Sequence, residues 1–337
     1  MIKSQIEKLR CQPELWKDSR THANTYIPAR GWGCTVLTLA QDMGLIFPPG
    51  FVGRYMGFIW SGLDESSDPK QRIVFVVAGY LARQGDWTDI EGHWLRRLER
   101  ENDPRPMRYF SSHECQQLSG EFRRFRDPIK YPKPKGREAA DAIREDLMLL
   151  LRSSRACGFA LGVNMKDYRA ARKSARARKV IRSNPYEQTY ITMMVHIAGT
   201  CKDEMKTMET VAFLCDEHNR AVNVKDVYDK VKEQNPRCGP WMGSLTYMDN
   251  KRSPAIQAGD LLASRSKEFL REYIRTPDDL ELRAELVKKW KPTLGGNVGV
   301  KCLDMKSIML MVNANLPKGG RLSIYSTQLG TLFRDLI

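Results

Sequence analysis

Two apolar runs in this chain stop on adjacent carboxylates. "MGFIWSGLDESS" (56–67) ends around Asp64 and Glu65, and "TVAFLCDEH" (210–218) ends on Asp216 and Glu217. A third acid, Asp260, lies within "AIQAGDLLA", where Gln257 is the only other polar side chain. Carboxylates brought together repel, and near neutral pH they need a shared proton or a cation. Mg²⁺ or Mn²⁺ suits hard oxygen ligands. Two such ions can activate a water and stabilise the leaving oxygen of a phosphodiester. That chemistry needs no histidine or cysteine. Each motif also has a plainer reading. Asp and Ser after a strand make good turns by bonding nearby backbone groups. On a helical wheel Asp260 falls opposite Ala258, Leu262, Phe269 and Tyr273, where a solvent-facing acid is ordinary. The three acids together, in strand–strand–helix order, favour a metal site over three unrelated turns.

Positioning them requires a sheet. Residues 56–63 and 72–81 are apolar enough for two strands, with "DESSDPK" as the turn between them. "DWTDIEGHWLRRLERE" places Trp87, Ile90, Trp94, Leu95 and Leu98 at helical spacing, with Asp86 as N-cap. "MRYF" (107–110) reads as a short strand, 121–137 as a Pro- and base-rich connection, and Ile143, Leu147, Leu150 and Leu151 mark a helix. "CGFALGVNM" (157–165) is another strand. Asn184-Pro185-Tyr186-Glu187 starts a helix with a cap, a proline and an early glutamate. Val211 to Cys215 carries no polar residue and reads as a strand buried on both faces. An amphipathic helix on Val224, Val227, Tyr228 and Val231 follows. Residues 243–249 read as the last strand and 254–274 as the final core helix. Strands that then alternate with helices imply an α/β fold with at least one parallel pair. In such sheets ligands bind beyond the carboxyl ends of the strands, so parallel neighbours would bring Asp64 and Asp216 together.

From about Met56 to Tyr273 the chain resembles the domain-of-unknown-function 3800 family, in "GLDESS", "VFVVAGYLA" followed by Trp87, "FLCDEH" and "IQAGDLLA". The resemblance implies a ribonuclease-H-like mixed sheet flanked by helices. Its metal-binding acids lie on the first strand, at the end of a later parallel strand and on the last helix. Those would be Asp64, Asp216 and Asp260, with Glu65 and Glu217 as helpers. Gly259 stands where alanine is expected. The expected division is an N-terminal extension (1–53), the core (54–275) and a C-terminal region (276–337). A second reading takes Met56 as the natural start and the upstream residues as a gene-start artefact. His113 and Glu114, in "YFSSHECQQL", are second candidates as general acid–base or fourth ligand, although such a pair more often marks a helix start.

The whole chain has 55 Lys+Arg against 40 Asp+Glu, a formal charge of +15, which favours polyanionic partners. Two stretches concentrate it. In "KDYRAARKSARARKVIR" (166–182), a continuous helix would put Arg169, Arg172, Lys173 and Arg176 on one face, with Lys179 nearby. "RRFRDPIKYPKPKGR" carries Arg123, Arg124, Lys133 and Lys135 among aromatic residues and reads as a mobile arm that closes on a nucleic-acid backbone and stacks bases. A solvated charged face is the alternative for either. No Walker-type G-x-x-x-x-G-K-[ST] or G-x-G-x-x-G occurs, which excludes a nucleotide motor. The eight cysteines include no C-x-x-C pair, as expected of a cytoplasmic protein without a zinc site or disulfide framework. No apolar run reaches a membrane span. The residues therefore point to a Mg²⁺- or Mn²⁺-dependent nuclease of DNA or RNA. The alternatives are a non-catalytic nucleic-acid-binding protein on the same fold and a metal-free carboxylate-pair hydrolase. Oligomeric state is not encoded in any motif.

Overall fold

The apolar runs form six strands of one sheet: β1 (Ile59–Ser67), β2 (Val74–Arg83), β3 (Cys157–Asn164), β4 (Val211–Asp216), β5 (Met242–Met248) and β6 (Val298–Leu303). Their order is β5-β4-β1-β2-β3-β6. β1 is parallel to β4 and β4 to β5, β3 is parallel to β6, and β2 alone runs against its neighbours. The computed structural model describes residues 59–67, 72–102, 104–203, 209–217, 221–295 and 297–314. The 1–53 extension and the alternative start at Met56 lie outside them.

Helices cover both faces, giving a mixed α/β fold. On one face lie α4 (Met165–Ala171), α5 (Ala175–Arg178), α6 (Pro185–Asp203) and α7 (Ala221–Gln234), around Leu63, Phe213, Tyr190 and Tyr228. On the other lie α1 (Gln84–Glu99), α3 (Lys135–Ser153), α8 (Pro254–Arg275) and α9 (Leu280–Leu294), around Trp94, Leu147, Leu262 and Phe269. The short α2 (Ser112–Gln117) joins this second layer through buried Cys115, and α10 (Met305–Ala314) follows β6. In α1, Trp87, Ile90, Trp94 and Leu98 are buried at spacings of three and four, which is why that segment coils into a helix and docks. Ser253 caps α8 by accepting from the Ile256 N–H, and Pro254 occupies its first turn.

Several sequence expectations change. β1 does not stop at its carboxylates; it runs to Ser67, because β2 is long enough to pair Asp64 with Ala78 and Ser67 with Phe75. Arg83, not Asp86, precedes α1. Residues 107–110 form no strand, since the Phe110 N–H is taken by the Gln257 side chain. The supposed mobile arm begins with a 3-10 helix, Gly120–Arg126, that buries Phe122 and Phe125 against Phe110 and Tyr131. The three phenylalanine rings are core and cannot stack bases, and Tyr131 is half-buried against Phe125. The 166–182 stretch is not one helix: α4 ends before Arg172 and α5 restarts at Ala175. Nor is β5 the last strand. β6 extends the same sheet alongside β3, so the core does not end at residue 275.

Candidate functional site

Strand alternation decides where the acids go. Ile59 and Leu63 enter one core layer and Trp60 the other, so period-two geometry sends Asp64 to the Trp60 side and Glu65 to the Leu63 side. On β4, Phe213 and Cys215 enter the first layer while Ala212 and Leu214 enter the second. Asp216 therefore shares a face with Asp64. β1 and β4 pair in parallel with Leu63 opposite Cys215. The two aspartates follow one step later on adjacent strands about 4.8 Å apart; Asp216 ends β4, while β1 continues past Asp64 to Ser67. α8 crosses this face. An alanine Cβ at Gly62 would lie 2.3 Å from the Ala255 carbonyl oxygen, and one at Gly259 3.1 Å from the Asp64 nitrogen. Glycine at both positions lets helix and strand approach closely enough to bring Asp260 to the strand ends.

The electrostatics follow from that convergence. Asp64 is 6% exposed. Burial raises its pKa well above the usual aspartate range, and the carboxylates of Asp260, Glu65 and Asp216 raise it further; the Glu65 N–H, donating to Oδ1 at 2.7 Å, acts the other way. No cationic side chain is among the groups that act on it most strongly. Asp260 is half-buried. Burial pushes it up to about 6, against the Ser112 N–H (2.6 Å to Oδ2) and the Lys267 charge, which pull it down. Asp216 accepts from the Asn250 backbone N–H at 3.1 Å and from its side-chain Nδ2 at 3.4 Å.

The remaining candidates sit elsewhere. Glu65 faces the opposite layer and accepts from the Tyr190 hydroxyl at 2.7 Å. Glu217 is exposed beyond β4, where its backbone N–H bonds the Met248 carbonyl. His113 is exposed on α2. Glu114 is structural: its two carboxylate oxygens accept from the Tyr109 hydroxyl and the Glu121 N–H, each at 2.9 Å. Arg124 is also structural. It bonds the carbonyls of Glu101 and Arg105 and pairs with Glu121, which Arg105 and Arg108 also neutralise. Arg123, Lys133 and Lys135 are exposed, as are Arg169, Lys173, Arg176 and Lys179, while Arg172 is half-buried and bonds the Ser183 carbonyl. β3 ends at the same end of the sheet as β1 and β4, so the 166–182 stretch emerges at the end that carries the acids, packed on the opposite face from them.

No protein-family model matches the chain, and a search of the curated proteins finds no match.

The donor set suits a divalent ion in chemistry: three aspartate carboxylates, hard and oxygen-only, meet on one face, and no cation is prominent among the groups acting on Asp64. Among the described residues no three His, Cys, Asp or Glu side chains close to direct ligand spacing. Sequence reading missed the residues that tether the acids, Ser112 and Asn250. Neither carries a motif signal, because each acts largely through a backbone N–H.

Proposed function

We propose that this protein hydrolyses phosphodiester bonds of nucleic acid with the help of Mg²⁺ or Mn²⁺ held by Asp64, Asp216 and Asp260, on a ribonuclease-H-like sheet. One observation carries the reading: a 6%-exposed Asp64 is pressed by three other carboxylates, with no cation among the strongest groups acting on it. A buried charge of that kind is retained at a cost of several kcal/mol unless something neutralises it. The placement on the first strand and at the end of a later parallel strand supports the same reading, since the family resemblance implies both. It implies the third acid on the last helix, whereas α8, which carries Asp260, is followed by α9 and α10.

When bound, divalent ions would supply an activated water and stabilise the departing oxygen. The chain's own side chains hold and orient. Asp260 keeps Oδ2 on the Ser112 N–H, which leaves Oδ1 to face an ion. Asp216 is fixed by Asn250. Exposed Arg169, Lys173, Arg176 and Lys179 would meet phosphates without reading sequence.

A non-catalytic nucleic-acid-binding protein is the second reading. It is favoured by the bonds that already occupy Asp216 and one oxygen of Asp260. Labelled single- and double-stranded DNA and RNA, incubated with wild type and Asp216→Asn in Mn²⁺ or EDTA, separate the two. Cleavage should occur only with wild type and metal. Loss of a residue that merely orients a metal ligand typically costs 10–100-fold, so Asp216→Asn should lose at least about 100-fold. Binding without cleavage in every wild-type lane would leave the second reading.

A further inference from the structure

Gln257 is 2% exposed, one turn before Asp260 on α8. Its side chain makes three bonds to three separate segments. Oε1 accepts from the Trp94 indole Nε1 and from the Phe110 backbone N–H, both at 3.0 Å, and Nε2 donates to the Asn250 carbonyl at 2.9 Å. The amide orientation is fixed by these partners, since the flipped form would set an NH₂ against two N–H donors. Two of the three segments lead straight to the acids. Asn250 is the residue whose N–H and side-chain amide hold Asp216. Phe110 lies two residues before Ser112, whose N–H holds Asp260.

We propose that Gln257 is the positioning residue of the carboxylate site, setting the two loops whose N–H groups aim Asp216 and Asp260 at a common point. Hydrogen-bond capacity explains why glutamine suits the position. It offers an acceptor with two lone pairs and a donor at the other end of one planar group, and an apolar residue would leave the Trp94 and Phe110 N–H groups and the Asn250 carbonyl buried without partners. The two loops are otherwise independent in sequence, 110 belonging to the segment after α1 and 250 to the segment after β5. Gln257 hydrogen-bonds both of them, and the Lys251 ammonium over the Tyr109 ring, 5.3 Å from its centroid, is a second contact between them. The inference rests on the metal-dependent reading for its consequence but not for its geometry.

Three variants test it: Gln257→Leu, Gln257→Glu and Trp94→Phe. Mn²⁺ affinity is followed by the electron paramagnetic resonance of the free ion, and loop position by amide hydrogen exchange at Asn250 and Ser112. Gln257→Leu should weaken Mn²⁺ binding by about 10–100-fold, as for other groups that orient ligands, and should speed exchange at both amides. Gln257→Glu keeps the acceptor for Trp94 and Phe110 but faces the Asn250 carbonyl with oxygen, so exchange should accelerate at Asn250 and stay slow at Ser112. Trp94→Phe removes one bond to the same oxygen while keeping an aromatic ring for Phe110 to pack on and the Gln257 bonds to both loops. It should lower the melting temperature and leave Mn²⁺ binding and both amides unchanged, a pattern that loss of stability alone cannot imitate. Wild-type exchange and wild-type Mn²⁺ binding in Gln257→Leu would overturn the proposal. If that variant does not fold, unchanged Asn250 exchange in Gln257→Glu would do so. Should wild type itself fail to bind Mn²⁺ while the exchange pattern appears as expected, the metal-dependent reading falls and the positioning stands.

Discussion

Asp64 and Asp260 are acids whose ionised forms the fold disfavours. The direction of their effect on stability follows. A carboxyl with a raised folded pKa binds its proton more tightly in the folded chain, so its contribution is full below the unfolded value and is lost as pH rises through the folded value. For Asp260 that window runs from the ordinary 3.8 to about 6. The shift corresponds to roughly 2 kcal/mol once partial solvent contact is allowed for. In metal-free buffer the contribution of Asp260, read as the melting temperature of wild type minus that of Asp260→Asn, should therefore fall between pH 4 and pH 7. Asp260→Asn, whose amide oxygen still accepts from Ser112, should melt higher than wild type at pH 7. Mn²⁺ should restore the wild-type protein at pH 7 and leave Asp64→Asn unchanged; thermal melts with and without metal read both effects. A difference between wild type and Asp260→Asn that stays constant over this range would contradict the raised pKa of Asp260.

At the scale of elements, the approach of α8 to β1 is the feature that makes a site out of separate acids. Gly62→Ala would drive a Cβ to 2.3 Å from the Ala255 carbonyl, a backbone atom that moves only with its helix. A cost of about 1–3 kcal/mol is expected, with weaker Mn²⁺ binding because Asp260 rides on the same helix. Gly259→Ala meets its nearest atoms at 3.1 Å and should cost under about 1 kcal/mol. Denaturant melts rank the pair. Equal effects would mean that helix and strand are not in the close contact described. The strands that carry acids were legible because Ile59 to Leu63 and Val211 to Cys215 are runs without charge. The helices were legible because tryptophans and leucines recur at three and four. What stayed hidden was long-range: the extension of β1 past its carboxylates depends on pairing with β2. The ordered 3-10 helix depends on Phe122 and Phe125 finding Phe110 and Tyr131, and no local pattern announces that. Glu114 and Arg124 looked like functional groups because their partners, Tyr109, Glu121 and the Glu101 carbonyl, are visible only in space.

For the molecule as a whole, the excess of positive charge is distributed unequally in function. Arg105, Arg108 and Arg124 are committed to Glu121, whereas the 166–182 stretch sends its exposed cations out at the acid-bearing end of the sheet. Replacing Arg169, Lys173, Arg176 and Lys179 by alanine should weaken duplex binding at all sequences alike. It should also flatten the dependence of log K on log[salt] by up to about 3.6, at roughly 0.9 for each phosphate no longer neutralised. Fluorescence anisotropy across a salt series measures both, and an unaltered slope would remove this stretch from the interface. Among the described residues no helix is long and apolar enough to cross a membrane.

Among the described residues, the strand furthest along the chain has a consequence for synthesis. β6 is added beside β3 only after residues 298–303 leave the ribosome, later than every element that bears an acid. Until then the nascent sheet would hold its carboxylates in place while the outer backbone groups of β3 stand without partners, an edge to which another emerging chain can pair. Chaperone demand during translation should thus peak late, after the acid-bearing strands are paired and before β6 takes the place of β3 at that margin.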